Sequence, residues 1–216
     1  MSTERLEKGD NMAVITISRQ YGAGGKTLGE KVSSRLGYYY AVDDIIQMVA
    51  WEANVSIDWV ECIEKEAGGT LLKFISGPGR KKFSEGFSDH KPGYINEAIY
   101  VHLLHQIISK IAEEGNAVVL GRGSQYILQD HPDAFHVLLV ADKADRIRFM
   151  EENYGLSSKE ALAVVNRRDK RRINLYKKFG KQDYDQPHLY HLILNMSQLS
   201  MEKAVDLVCK FTAGAE

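Results

Sequence analysis

The chain has 216 residues, 44% of them hydrophobic, enough for one substantial α/β domain, alone or with a mobile insertion. With 28 basic against 29 acidic residues the net charge is −1, so no overall field draws in nucleic acid or membrane, and any electrostatic function must come from local clusters. Cys62 and Cys209 lie far apart without a C-x-x-C partner and no apolar run approaches membrane-spanning length, which argues against a zinc knuckle, a disulfide framework or a membrane protein and favours a reducing, cytoplasmic setting.

Residues 1–11 form a charged leader without the apolar core of a secretory signal; they are expected to be disordered, leaving residues 12–216 as a single domain. The β-branched run Val14, Ile15, Thr16 and Ile17 predicts a strand buried on both faces. Behind it, Gly22, Gly24 and Gly25 relax the limits on the backbone so that amides can converge on an anion. Thr27 opens a helix whose apolar side is Leu28, Val32 and Leu36, and the positive end of that helix faces the loop. Gly25-Lys26-Thr27 matches the second half of the phosphate-binding motif G-x-x-x-x-G-K-[ST], in which the lysine reaches the outer phosphates and the hydroxyl residue ligates Mg²⁺; Gln20 stands where the leading glycine belongs. Gly22, Ala23, Gly24, Gly25, Lys26, Thr27 and Leu28 are thus the candidate nucleotide site, with Thr27 as the metal ligand.

Tyr38-Tyr39-Tyr40 reads as a short second strand, and Asp43-Asp44 precedes the helical pattern Ile45, Ile46, Met48, Val49. One of the two acids is expected to cap that helix; the pair, at a strand's carboxyl end, could also meet an acceptor or Mg²⁺. Ser56 to Glu66 repeats a helical pattern. Glycines and prolines then punctuate Gly68 to Gly93, which predicts a mobile excursion whose basic run Arg80-Lys81-Lys82 reads as solvated surface. Tyr94 to Glu114 carries Ile95, Ile99, Leu103, Ile107 and Ile111 and predicts a long helix ended by Gly115. His102 and His105 lie on it without a third ligand nearby, and read as packed or exposed histidines rather than metal ligands.

Ala117 to Leu120 is the next buried strand, with Gly121-Arg122-Gly123 at its carboxyl end, where open α/β sheets place their ligands; Arg122 is a site candidate on that ground. Phe135 to Val140 is a further strand, followed by a helix over Ala144 to Tyr154. Ser157 fits the N-cap of a helix running toward Lys178, and a last strand over Tyr190 to Leu194 precedes a helix from Ser200 to Phe211. Between Arg167 and Lys181 the basic residues Arg167, Arg168, Lys170, Arg171, Arg172, Lys177, Lys178 and Lys181 surround a single acid, Asp169. As a helix, this segment has an apolar stripe of Leu162, Val165, Ile173 and Tyr176, and Asp169 falls inside it, so an ion-pair network that orients guanidinium groups for clamping phosphate is expected rather than a solvated face. Single-stranded RNA is disfavoured because interleaved aromatic platforms are missing.

Glycine loop, arginine after a later strand and arginine-rich helix are parts that phosphoryl transfer uses, since its catalysis is mostly positioning and charge neutralisation. Through I-T-I-S-R-Q-Y-G-A-G-G-K-T, V-V-L-G-R-G, R-R-D-K-R-R, L-I-L-N and L-S-M-E-K-A, the chain resembles the cytidylate kinase-like family of the nucleoside monophosphate kinase group, over nearly Met12 to Phe211. The resemblance implies a three-layer P-loop α/β fold with a five-stranded parallel sheet, a helical monophosphate-binding flap at about 38–93 and an arginine-rich lid at about 157–187. It implies an ATP- and Mg²⁺-dependent kinase acting on a small phosphate- or hydroxyl-bearing acceptor, CMP being the nearest, with Lys26, Arg122, Arg168, Arg171 and Arg172 as catalytic residues and Asp43, Asp44, Arg122 and Asp169 on the acceptor side. A nucleotide-binding regulator without turnover is the alternative reading. Gly123 stands where members typically carry aspartate, and the lid motif Arg-Asp-x-Arg-Asp-x-x-Arg is met at Arg168, Asp169 and Arg171 but has Arg172 and Leu175 at its last acid and arginine.

Overall fold

The computed structural model describes residues 13–65, 94–181 and 183–213. The expected leader and the excursion over 68–93, with Arg80-Lys81-Lys82, lie outside the described residues. Five strands form one parallel sheet in the order β2-β3-β1-β4-β5: β1 Val14–Arg19, β2 Tyr39–Ala41, β3 Ala117–Leu120, β4 Ala134–Val140 and β5 Leu192–Asn195. The central strand β1 pairs Val14 to Ile17 with Ala117 to Leu120 on one side and Val14 to Arg19 with Ala134 to Leu139 on the other. Being covered on both faces, it carries an unbroken β-branched run rather than an alternating pattern. Of its buried polar groups, the Thr16 hydroxyl lies 2.7 Å from Nδ1 of the buried His136 on β4.

Side chains of alternate parity leave the sheet toward two cores. Val14, Ala117 and Val119 pack against α2 (Asp43–Glu52), α3 (Ile57–Lys65) and α4 (Glu97–Glu114), while Ile15, Ile17, Val118 and Leu120 pack against α1 (Gly25–Leu36) and α8 (Met201–Ala213). After β3 comes the single turn α5 (Ser124–Ile127), and after β4 the pair α6 (Lys143–Tyr154) and α7 (Ser158–Lys178), joined through Met150, Ala161 and Val165. The carboxyl ends of all five strands meet at one edge, where Arg19, Ala41, Leu120, Val140 and Asn195 hand the chain to its loops.

Local signals account for most element ends. Asn96 caps α4 by accepting from the Ile99 amide at 2.9 Å, and Ser157 and Glu160 close a reciprocal capping box at the start of α7. Two expectations are corrected. Asp43 and Asp44 do not cap α2: they are its first two residues, Val42 holds the cap position, and Asp44 instead accepts from the Tyr39 hydroxyl at 2.5 Å. On α7, Leu162 is 38% exposed; the buried stripe is Ala161, Val165 and Tyr176, with Asp169 and Arg172 partly buried between them, because the face turned to Met150 and Arg146 of α6 takes Ala161, Val165 and Asp169 instead.

Candidate functional site

The loop between β1 and α1 takes its shape from two left-handed glycines, Gly22 at φ +88° and Gly24 at φ +81°. At Gly22 there is also no room for a side chain, since a Cβ would come 2.7 Å from the carbonyl oxygen of Arg146 on α6. Gly24 is the N-cap, so the first helical amides, which have no intrahelical acceptor, open onto the loop. Gln20, at the position the motif gives to glycine, has a job of its own: its Oε1 accepts from the Ala141 amide at 3.0 Å and ties the loop to the end of β4.

Beside the loop lies a cleft of about 180 Å³ at the carboxyl ends of β1 and β3, walled by α3 and α7. Arg19, Arg122, Arg168, Arg171, Arg172 and Lys178 line it, against the carboxylates of Glu64 and Asp169. Arg122, held at φ +55° just after β3, donates from Nε to Oε1 of Glu64 at 3.2 Å. The same carboxylate takes a short ion pair from Arg171 through Oε2 and a hydrogen bond of 2.5 Å from the hydroxyl of the fully buried Tyr100. Burial lowers the Arg171 pKa, with Glu64 opposing, and burial together with Glu64 pushes the Tyr100 hydroxyl well above its ordinary value, so it serves as a donor. Arg172 places Nη1 at 2.8 and 2.7 Å from the two oxygens of Asp185, which also accepts from the Tyr190 hydroxyl at 3.1 Å. Arg168 is exposed and lies 5.6 Å over the Tyr21 ring.

Asp169 does point inward, but the guanidinium it holds is not one of its neighbours on α7. One oxygen lies 2.6 Å from Nη1 of Arg146 on α6, and the other accepts from the Tyr21 amide at 2.9 Å; Arg146 in turn donates to the Tyr21 carbonyl at 3.1 Å. The acid therefore fastens the basic helix to the glycine loop. Lys26 stands apart from the cleft: its side chain is 59% exposed and its ammonium lies 3.8 Å from Glu30, one turn along α1. Thr27 is half-buried in the first turn, Ala23 and Leu28 are buried beneath it, and Asp43 and Asp44 sit at the end of β2, outside the cleft lining. Sequence reasoning passed over Arg19, Glu64, Arg146 and Asp185. Only Arg19, inside the loop's own strand, carried a local signal. His105 packs tilted against Phe179 at 5.7 Å, its pKa lowered by burial and by His102, and among the described residues no group of three or more His, Cys, Asp or Glu side chains could hold a metal ion. No described helix is long and apolar enough to cross a membrane.

The sequence pattern of the cytidylate kinase-like family matches residues 14–198. No curated protein matches the chain. Among solved structures, an uncharacterized protein from Eubacterium ventriosum superposes with a TM-score of 0.66 at 19% identity, covering 94% of this chain and 98% of that one. Shikimate kinase from Bacteroides thetaiotaomicron gives 0.51 at 14% identity, covering 93% and 98%, and TT1252 from Thermus thermophilus gives 0.50 at 16%, covering 93% and 96%. At these identities the likeness is one of fold.

Proposed function

Because the chain belongs to the cytidylate kinase-like family, we propose that it transfers the terminal phosphoryl group of ATP to a small anionic acceptor, with a nucleoside monophosphate such as CMP the nearest candidate. The observation that carries this reading is the cleft itself, in which arginines from β1, the end of β3 and α7 converge beside the glycine loop. A phosphoryl group in flight spreads negative charge over its oxygens, and fixed guanidinium groups stabilise it without reorganising. An acceptor that is already an anion needs alignment more than a general base.

In this reading the triphosphate lies over Gly22, Ala23, Gly24 and Gly25, with Lys26 and Leu28 flanking, and the Thr27 hydroxyl would be the protein ligand to Mg²⁺, which would supply charge neutralisation for the phosphates. Arg122, Arg168, Arg171 and Arg172 face the transferred group and the acceptor, and Asp169 holds α7 against the loop. Asp43 and Asp44 lie toward the acceptor's far end. At Gly123 the backbone is left-handed, and a Cβ would lie 2.7 Å from the Phe179 ring, so an aromatic surface occupies the space where family members present an acid. That favours an acceptor recognised there by stacking or shape rather than by a carboxylate. The test is an ATP-turnover screen over the nucleoside monophosphates and other small phosphate- or hydroxyl-bearing acceptors. Acceptor-dependent ADP release supports the kinase; ATP binding with no acceptor-dependent release across the panel would leave a nucleotide-binding regulator instead.

A further inference from the structure

Lys26 is the cation that the phosphate-binding motif nominates, yet it lies on the outer rim with its ammonium toward Glu30. Of the loop's own strand, Arg19 is the cation that lines the cleft. Its stem crosses Gly25, where a Cβ would come 2.8 Å from Arg19 Cγ and 3.1 Å from Cδ. Its head covers Gly121, the first residue after β3, where a Cβ would come 2.0 Å from Nη1. Two glycines, one opening α1 and one following β3, thus clear the path of one side chain, and that path ends in the cleft, between the glycine loop and Arg122.

The register of the loop gives this a chemical meaning. Gly24 is the left-handed cap and Gly25 the first helical residue. Counted from Gly24, the left-handed cap, rather than from Gly25 as the sequence alone suggests, the motif G-x-x-x-x-G-K has its leading position at Arg19 instead of Gln20 and its lysine position at Gly25 instead of Lys26, while Thr27 stays in the first helical turn. The chain holds arginine and glycine there: the side chains of the two positions are exchanged, and the arginine lies across the site from which the lysine would project. Arg122, Arg171 and Arg172 each have a carboxylate partner, whereas no carboxylate among the described residues stands within ion-pair distance of Arg19. Burial lowers its pKa, and Arg122 and Arg172 add to the repulsion. A partly buried cation flanked by other cations, with no carboxylate partner among the described residues, is costly and calls for an anion in the cleft.

We propose that Arg19 is the phosphate-binding cation of the glycine loop, holding the outer phosphates of the nucleotide from inside the cleft in the role the motif gives to its lysine. A guanidinium is suited to this, being always charged and presenting paired donors to phosphate oxygens. This rests on the reading that the loop binds ATP, and the two are separable. Calorimetric titration of ATP, ADP and AMP in Mg²⁺ compares wild type with Arg19→Gln and Lys26→Ala. The expected result is a graded loss in Arg19→Gln, of about 10–100-fold for ATP, less for ADP and least for AMP, with a smaller loss in Lys26→Ala that is not graded by phosphate number. Thermal melts without nucleotide should show Arg19→Gln holding or gaining stability, because an uncompensated charge has been removed; a purely structural arginine would lose it. Arg19→Gly should lose ATP affinity as Arg19→Gln does, and adding Gly25→Lys to it should recover about tenfold by returning the cation to its usual position. If ATP binds and Arg19→Gln retains its affinity, or if the graded loss follows Lys26→Ala, the assignment of Arg19 is overturned and the kinase reading stands; if wild type binds no ATP, both fall.

Discussion

Asp169 carries more of the site than its single charge among so many cations suggests. Its two oxygens serve different elements, one pairing with Arg146 of α6 and the other accepting from the Tyr21 amide in the loop, so one carboxylate fixes loop, α6 and α7 together. Asp169→Asn preserves the shape but removes the charge opposite Arg146, whose side chain is only 9% exposed. A loss of about 2 kcal/mol in unfolding free energy is expected, along with faster hydrogen exchange at the Tyr21 amide and reduced turnover. Unaltered exchange at Tyr21 would show that the loop keeps its shape without this acid. Thr27 makes a different kind of prediction, because its proposed partner is a metal ion: Thr27→Ala should weaken ATP binding about tenfold or more in Mg²⁺ and little in chelator. Equal losses in both titrations would remove Thr27 from the metal.

The link between elements is concentrated at Glu64, through which α3 holds both Arg122 after β3 and Arg171 on α7, with Tyr100 of α4 donating from beneath. Glu64→Gln should cost stability, because two partly buried arginines lose their shared counterion; a fall in Tm of roughly 4–8 °C corresponds to about 2 kcal/mol in a chain of this size. The same change strengthens the positive field of the cleft, so pyrophosphate should raise the Tm of the variant more than that of wild type. Opposite responses in melts with and without pyrophosphate check both halves, and identical melts for the two proteins would mean that α3 and α7 are held by something else. Such a link is hard to read from a sequence, since Glu64 and Arg171 stand 107 residues apart. What was legible was local: the β-branched run of β1, the paired glycines of the loop, the capping box at Ser157 and the glycine-flanked arginine after β3 each declare themselves within a few residues. The sequence also showed that Asp169 faces inward, but not that its partner is Arg146, because helical periodicity fixes a face and says nothing about which neighbouring helix covers it.

On the scale of the whole molecule, the sheet carries a titratable group at its centre. His136 on β4 is buried, with the Thr16 hydroxyl 2.7 Å from its Nδ1 and its own amide donating to Nδ1 of His191 at 3.0 Å. Burial, with His191 and His131 adding repulsion, lowers its pKa to about 4. The folded protein thus keeps this ring neutral at pH values where the unfolded chain, with a histidine pKa of about 6.5, has already bound a proton. The sign follows from linkage: where the unfolded state binds more protons, stability falls as pH falls, so the contribution is complete above about pH 6.5 and is lost as pH drops through the window down to about 4. Two and a half pKa units correspond to about 3 kcal/mol. Because β4 pairs with both β1 and β5, this loss should appear in global unfolding rather than in local fraying. Urea unfolding at pH 7.5 and pH 5 should show wild type losing about 2 kcal/mol between the two, while His136→Gln, less stable at pH 7.5 through its poorer fit, should lose distinctly less on acidification. Parallel losses in the two proteins would assign the acid sensitivity to the carboxylates of the cleft, and the buried histidine would then be a packing group without influence on the pH range over which the fold survives.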